Sequence, residues 1–100
     1  MGLNYYFDWD LKKAQSNKEK HGVSFEEAAS VFLDPSAMTI YDPDHSATEE
    51  RWITMGISKS SRLLVVCHTF REENPGVVTI RIFSSRNSSK KESLEYGERQ

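Results

Sequence analysis

From Phe25 onward the apolar positions repeat at helical spacing, and from residue 51 onward they repeat at strand spacing. Phe25, Ala28, Ala29 and Phe32 fall at intervals of three and four, which predicts a helix from Phe25 to about Leu33. Ser24 followed by Glu27 has the form of a capping box at its start, with Val23 and Ala28 as the flanking apolar pair. Asp34-Pro35 ends it, because the residue before a proline is pushed out of the helical region. An earlier helix, Leu11 to about His21, is bracketed by the capping side chain of Asp10 and by Gly22, which supplies the left-handed turn of a helix end. Tyr5–Trp9 and Thr39–Tyr41 are short β-rich runs, and the acidic stretch Asp42–Glu49 reads as a loop. In Arg51–Ser58, Ile53, Met55 and Ile57 alternate with Trp52, Thr54 and Gly56; in Val77–Ser85, Val78, Ile80 and Ile82 alternate with Thr79, Arg81 and Phe83. Arg62–Phe70 between them is apolar at nearly every position, so it belongs in the middle of a sheet, covered on both faces. Lys59-Ser60-Ser61 and Glu72–Gly76 are the turns, short enough to require antiparallel pairing. Asn87–Gly97 reads as a polar final helix. The order β-α-α-β-β-β-β-α is an α+β pattern: an antiparallel sheet packed by two N-terminal helices plus a C-terminal helix.

At 100 residues, with no repeat and no low-complexity linker, the chain is expected to form a single domain over 1–100. No apolar run approaches the roughly 20 residues of a membrane span. The start, Met1-Gly2-Leu3-Asn4-Tyr5, has neither a basic nor an apolar signal character, so a cytoplasmic location is expected. Cys67, the single cysteine, lies inside the apolar run and is expected to be a buried, inert thiol.

Charge is unevenly placed. Residues 1–50 hold four lysines and no arginine against ten carboxylates, net −6, whereas residues 51–86 hold six cations against two carboxylates, net +4. Arg51, Arg62, Arg71, Arg81 and Arg86 all fall in that second stretch. A basic surface on an otherwise acidic protein suits a phosphate-bearing partner. The helix joint Lys20–His21–Gly22 does not make a DNA-reading unit, since the second helix carries Glu26 and Glu27 and no basic residue. His21, His45 and His68 are far apart, and Cys67 and His68 point to opposite faces of one strand, so no metal ligand set is expected and no cofactor is implied. The loop Asp42-Pro43-Asp44-His45 lacks the glycine and ligand rhythm of a calcium site and reads as a solvated acidic loop.

His68 and Arg71 near the end of the central strand, with Arg81 and Arg86 on the next, form a candidate phosphate-binding group, because the guanidinium fork matches phosphate oxygens. The alternative is that these arginines only cover apolar surface. Trp52, on the polar parity of its strand, can stack on a base or belong to the core.

The motifs together resemble the BrnT family of toxins. Carrying the resemblance are Phe7-Asp8-Trp9-Asp10, Lys13-Ala14, Asn17, Lys20 to Ala28, Phe32-x-Asp34-Pro35, His45-Ser46, Glu49-Glu50-Arg51-Trp52, Gly56-x-Ser58, Arg62 to Val66, His68-Thr69-x-Arg71 and Ile80-Arg81-Ile82-x-Ser84-x-Arg86. They run collinearly from Phe7 to Arg86. Leu11 stands where many relatives have proline, and Phe83 where they are smaller. The resemblance implies a RelE/ParE-like fold, RNA cleavage that halts translation, and neutralisation by a BrnA-type antitoxin. The antitoxin's ribbon-helix-helix part would bind operator DNA, so the toxin meets DNA only through it.

Metal-free RNA cleavage uses the 2′-hydroxyl as nucleophile and needs proton acceptors, proton donors and cations for the developing charge. On residue type, His68 is the expected acid or base and Glu49 a second base; Arg71, Arg81 and Arg86 stabilise charge. Arg51, Trp52, Lys20 and His21 are the expected RNA contacts. Two other readings stay open: a toxin that poisons a protein target by binding alone, and a module that only holds its antitoxin.

Overall fold

Asp10 accepts the Lys13 amide hydrogen (3.0 Å) and Gly22 adopts φ +70°, so the first helix, α1 (Leu11–His21), begins and ends where its caps dictate. The computed structural model describes residues 4–98. Ahead of α1 lies β1 (Asn4–Asp8). After it come α2 (Phe25–Ser30), a 3₁₀ turn at Val31–Leu33, β2 (Met38–Tyr41), a second 3₁₀ turn at Pro43–His45, β3 (Trp52–Ile57), β4 (Leu63–His68), β5 (Arg71–Asn74), β6 (Val77–Asn87) and α3 (Lys90–Glu98). The sheet order is β1-β6-β4-β3-β2, with β5 pairing to the start of β6. The apolar run of β4 is therefore central, as its pattern requires. Among the described residues no helix is long and apolar enough to cross a membrane.

Helices α1 and α2 cover one face. Val23, Phe25, Ala28 and Val31 meet Leu64, Val66, Val78, Ile80 and Ile82 there, all at most 1% exposed. On the opposite face a smaller cluster gathers Met55, Val65 and Tyr96, the last from α3. Gly56 lets β3 pass directly beneath the 3₁₀ turn: a Cβ there would lie 2.9 Å from Val31 Cγ1 and 3.1 Å from Ala37 Cβ.

The α+β layout agrees with the sequence, and four details differ. The segment expected as the turn Glu72–Gly76 is partly strand β5; all four of its residues are exposed, so it carries no apolar alternation to announce it. The turn shrinks to Pro75-Gly76, with Gly76 at φ +80°. Second, β1 runs parallel to β6 (Asn4 opposite Val77, Asp8 opposite Arg81), so the sheet is mixed rather than antiparallel throughout. Third, Ser24 Oγ accepts the Glu27 amide hydrogen (3.1 Å), but the Glu27 carboxylate takes Ser58 Oγ–H (2.7 Å) and the Arg62 guanidinium instead of completing the capping box. Fourth, β6 extends to Asn87, and α3 starts only at Lys90.

Strand alternation is broken once. Across β4 and β6, Cys67 lies opposite Ser84 and His68 opposite Ile82, so Phe83 is an extra residue, a β-bulge. Before the bulge the even residues Val78, Ile80 and Ile82 are buried under the helices; after it the odd residue Ser85 is. Arg81 and Arg86, five residues apart, consequently share the other face.

Asn17 holds α1 to this strand. Its amide donates to Ser85 O (2.8 Å) and Val23 O (3.0 Å) and accepts from the Ser85 N–H (3.1 Å). Because the pairing of β1 with β6 ends at Asp8 opposite Arg81, the Asn17 side chain serves the Ser85 backbone on an edge that β1 no longer covers. Replacing it leaves a buried backbone N–H without its partner. We predict that Asn17→Ala lowers stability by about 2–4 kcal/mol, read as a drop in urea midpoint with an unchanged m-value; an unchanged midpoint would contradict this account.

Candidate active site

The face of the sheet opposite the one that α1 and α2 cover carries the cations. A cleft of about 360 Å³ there is lined by Lys13, Asp42, His45, Arg51, Ile53, Val65, Cys67, Phe83, Ser84 and Arg86. The bulge supplies Phe83, whose ring receives the Arg51 guanidinium at 4.0 Å and the Lys13 ammonium at 5.2 Å. Cations stacked on an aromatic face keep their charge while losing part of their water. Arg51 Nε is buried without a hydrogen-bond partner among the described residues.

One wall of the cleft is the loop after β2. The Asp42 N–H donates to Arg51 O (2.9 Å), Ser46 Oγ–H donates to Asp42 O (2.5 Å), and the Arg51 N–H donates to Ser46 Oγ (3.0 Å). This clasp fixes Asp42, only 7% exposed, against His45, whose side chain is 66% exposed. His45 Nδ1 donates to Asp42 Oδ2 at 2.8 Å. A carboxylate accepts but cannot donate, so neutral His45 keeps its proton on Nδ1 and leaves Nε2 free as a base. An imidazole oriented by a carboxylate, beside two arginines and a lysine, can transfer protons at a bound phosphodiester.

Around the cleft the other cations are paired. Arg86 forms a two-pronged ion pair with Glu92 of α3 (2.8 and 2.9 Å). The Arg86 hydrogen bonds, with the Ser89 N–H, hold the Glu92 carboxyl well below its usual range, at about 2. Arg81 pairs with Asp8, and Arg71 lies 3.3 Å from Glu49. Glu49 is also 4.0 Å from Arg51.

Several expected site residues lie elsewhere. His68 is on the helix-covered face and fully buried, with Nδ1 on Thr69 O (2.8 Å), Nε2 on Thr54 Oγ1 (2.7 Å) and its ring edge-on to Phe32. Burial pushes its pKa below the ordinary value. It therefore does not meet the arginines, because residues of β4 alternate between faces. Trp52 shares the His68 face and packs against Tyr41. Lys20 and His21 are exposed at the helix joint, which Arg62 anchors through Gly22 O (3.1 Å), and neither lines the cleft. Cys67 is half-buried rather than buried, since it faces the partly open cleft; burial, then the Asp42 charge, raise its pKa.

His45 and Asp42 read from the sequence as part of a solvated acidic loop and not as site residues. The available signal was Asp-Pro-x-His, an aspartate three residues from a histidine across a proline-started turn. Lys13 and Phe83 gave no comparable signal. Among the described residues, no three or more His, Cys, Asp or Glu side chains are grouped so as to hold a metal ion.

A family model described as "Ribonuclease toxin, BrnT, of type II toxin-antitoxin system" matches residues 9–92. The crystal structure of the Brucella abortus ribonuclease toxin BrnT is similar in fold, with a TM-score of 0.59 and 21% identity, covering 87% of this chain and 100% of that one. No curated protein matches the chain.

The Arg86–Glu92 pair makes a pH prediction. The folded carboxyl titrates near 2 against an ordinary 4.5, so its contribution is complete above about 4.5 and is lost as pH falls toward 2. Urea midpoints of the parent and Glu92→Gln should differ at neutral pH and converge across that window. A constant difference would show that the pair does not couple to folding.

Proposed function

The chain belongs to the BrnT family of type II toxin–antitoxin ribonuclease toxins, and we propose that it cleaves RNA in the cleft built around His45, Arg51 and Arg86, without a metal ion. The observation that carries this reading is the His45–Asp42 pair at 2.8 Å in the same cleft as the Phe83-stacked Arg51. Arg51 and Arg86 receive the scissile phosphate, with the phosphate oxygens replacing Glu92 on the Arg86 fork. Nε2 of neutral His45 takes the proton from the 2′-hydroxyl, whose oxygen attacks phosphorus. The P–O5′ bond breaks, leaving a 2′,3′-cyclic phosphate, and the departing oxygen takes a proton from water at the open mouth. Asp42 stabilises the imidazolium that forms, and the arginines stabilise the charge on the phosphorane. Arg71 and Arg81, which do not line the cleft, guide the flanking phosphates, and Glu49 holds Arg71 and Arg51 near one another. His68 holds the sheet behind the site rather than reacting.

Type II toxins are held by an antitoxin. We infer that this one is of the BrnA, ribbon-helix-helix type and that it docks on the arginine face and α3, touching operator DNA on the toxin's behalf. Its docking segment should be apolar with acidic residues, since a buried guanidinium left unpaired is costly. A stable complex of this kind buries at least roughly 1,000–2,000 Å² in total. The chain acts as one domain in the cytoplasm, and its product is arrested translation.

The test is cleavage of RNA by the purified chain in excess chelator. Cyclic-phosphate ends are expected from the parent, with rates about 10²–10⁴-fold lower for His45→Ala and clearly reduced for Arg51→Ala and Arg86→Ala. The same variants should relieve growth inhibition, with circular dichroism confirming that they fold. Undiminished cleavage by folded His45→Ala, or loss of the parent's activity in chelator, would overturn this mechanism. For the partner, amide exchange should show protection over 62–98, and the association rate should fall as salt rises. Protection confined to 11–33 would overturn the docking assignment.

A further inference from the structure

A second cavity, of about 430 Å³, opens on the helix-covered face beyond the end of α2. It lies across the sheet from the arginine cleft and takes no part in the proton transfers described above. Tyr5, Phe32, Trp52 and Phe70 form aromatic walls, and its polar groups are Thr39, Thr54 and His68. Tyr5 and Phe70 remain 43% and 44% exposed at its mouth, where a folded core would have buried them.

The polar groups form one directed chain. His68 Nδ1 faces Thr69 O, and a carbonyl only accepts, so that nitrogen carries the proton. In the neutral ring Nε2 then accepts, and the Thr54 hydroxyl must donate to it (2.7 Å). Thr54 Oγ1 in turn receives the Thr39 hydroxyl proton (2.7 Å). Complete burial of His68 favours the neutral ring on which this order depends. Thr39, exposed at the outer end, has spent its proton inward. It offers the cavity oxygen lone pairs and no donor.

We propose that this cavity captures one nucleobase of a single-stranded RNA, stacked on Trp52 and Phe70 and selected for an amino group that donates to Thr39. The size suits a small flat ligand, and aromatic walls with a few placed polar atoms are how proteins hold unstacked bases. Adenine, cytosine and guanine carry an exocyclic amino donor, whereas uracil has none: its N3–H sits between two carbonyl oxygens that would crowd the Thr39 lone pairs. The phosphate backbone has a route between the two faces. Arg51 precedes Trp52, Arg71 follows Phe70, and both arginines pair with Glu49 at that end of the sheet. A strand crossing this rim leaves its base on the aromatic side and its phosphates on the cationic side. The proposal rests on RNA being the substrate, as inferred above.

The test uses the full chain with Trp9→Phe, so that fluorescence reports Trp52 alone, titrated with AMP, CMP, GMP and UMP. Saturable quenching by AMP, CMP and GMP is expected, with UMP weaker by about three- to tenfold, the worth of one hydrogen bond. Thr39→Val, at an exposed strand position, should fold normally, keep the quenching and lose the discrimination. Trp52→Phe should keep the fold, and in oligonucleotide cleavage should raise KM while leaving kcat unchanged. Absence of saturable quenching at millimolar nucleotide, equal affinity for UMP and CMP, or a Trp52→Phe effect confined to antitoxin binding would overturn the proposal. Quenching with the expected preference in a chain that does not cleave RNA would support it while removing the nuclease mechanism. Cleavage without any quenching would do the reverse.

Discussion

Residues along a strand point alternately to the two sides of a sheet, and in this protein every functional question turns on that rule and on the one place it is broken. The central strand β4 sends Leu64, Val66 and His68 toward the helices and Val65 and Cys67 toward the cations. Its neighbour β6 would separate Arg81 from Arg86 by parity, since they are five positions apart. The extra residue at Phe83 shifts the phase, puts both on the same side and turns an aromatic ring toward Arg51. Bulges re-aim side chains at functional sites in this way at the cost of a ladder hydrogen bond.

Keeping that bulge in place requires support on both sides of the sheet. From the helix side, Asn17 grips the backbone of Ser85 two residues beyond Phe83, where β1 no longer reaches. The joint after α1 is tied down by Arg62, which also holds Glu27 with its carboxyl below the usual range, chiefly through that hydrogen bond. From the other side, Asp34 accepts the Ile57 N–H (2.8 Å) and the Tyr96 hydroxyl (2.5 Å), linking the end of the helical layer to β3 and α3 at once. α3 then presents Glu92 to Arg86. The polar bonds at element ends therefore position the cleft, while the apolar contacts give it a rigid floor.

The two faces divide the chemistry. On the open face an imidazole, a carboxylate and stacked cations meet where solvent can enter. On the covered face the polar groups are buried in a fixed order and meet aromatic side chains that are only partly covered. The acidic surplus of residues 1–50 includes Asp8, Asp42 and Glu49, which pair with Arg81, His45 and Arg71. The uneven charge along the chain thus becomes local pairing in space, and the cleft is less strongly positive than its arginines alone suggest. A phosphate-bearing ligand must compete with carboxylates already seated on the guanidinium forks, which makes binding sensitive to salt.

The caps and periods were legible because they are local. Asp10, Gly22 and Ser24 bound their helices through backbone groups within a few residues, and the continuous apolar run of residues 63–66 placed β4 in the centre. The arginine-rich stretch after residue 50 likewise pointed to the part of the chain that carries the cleft. The bulge at Phe83 was not legible, because pairing register is set by the neighbouring strand and not by the residues that slip. With regular alternation in its place, His68 would share a face with Arg81, which in fact lies behind it. Nor did local sequence distinguish His45 from a solvated loop residue, since its significance comes from a buried Asp42 and a clasp that closes onto Arg51. Strand β5 left no trace because its residues are exposed on both sides. The sequence by itself determined which segments fold as helix or strand and which bury a face. Only the tertiary structure decided which side chains share a face, because that depends on hydrogen bonds between strands far apart in the chain.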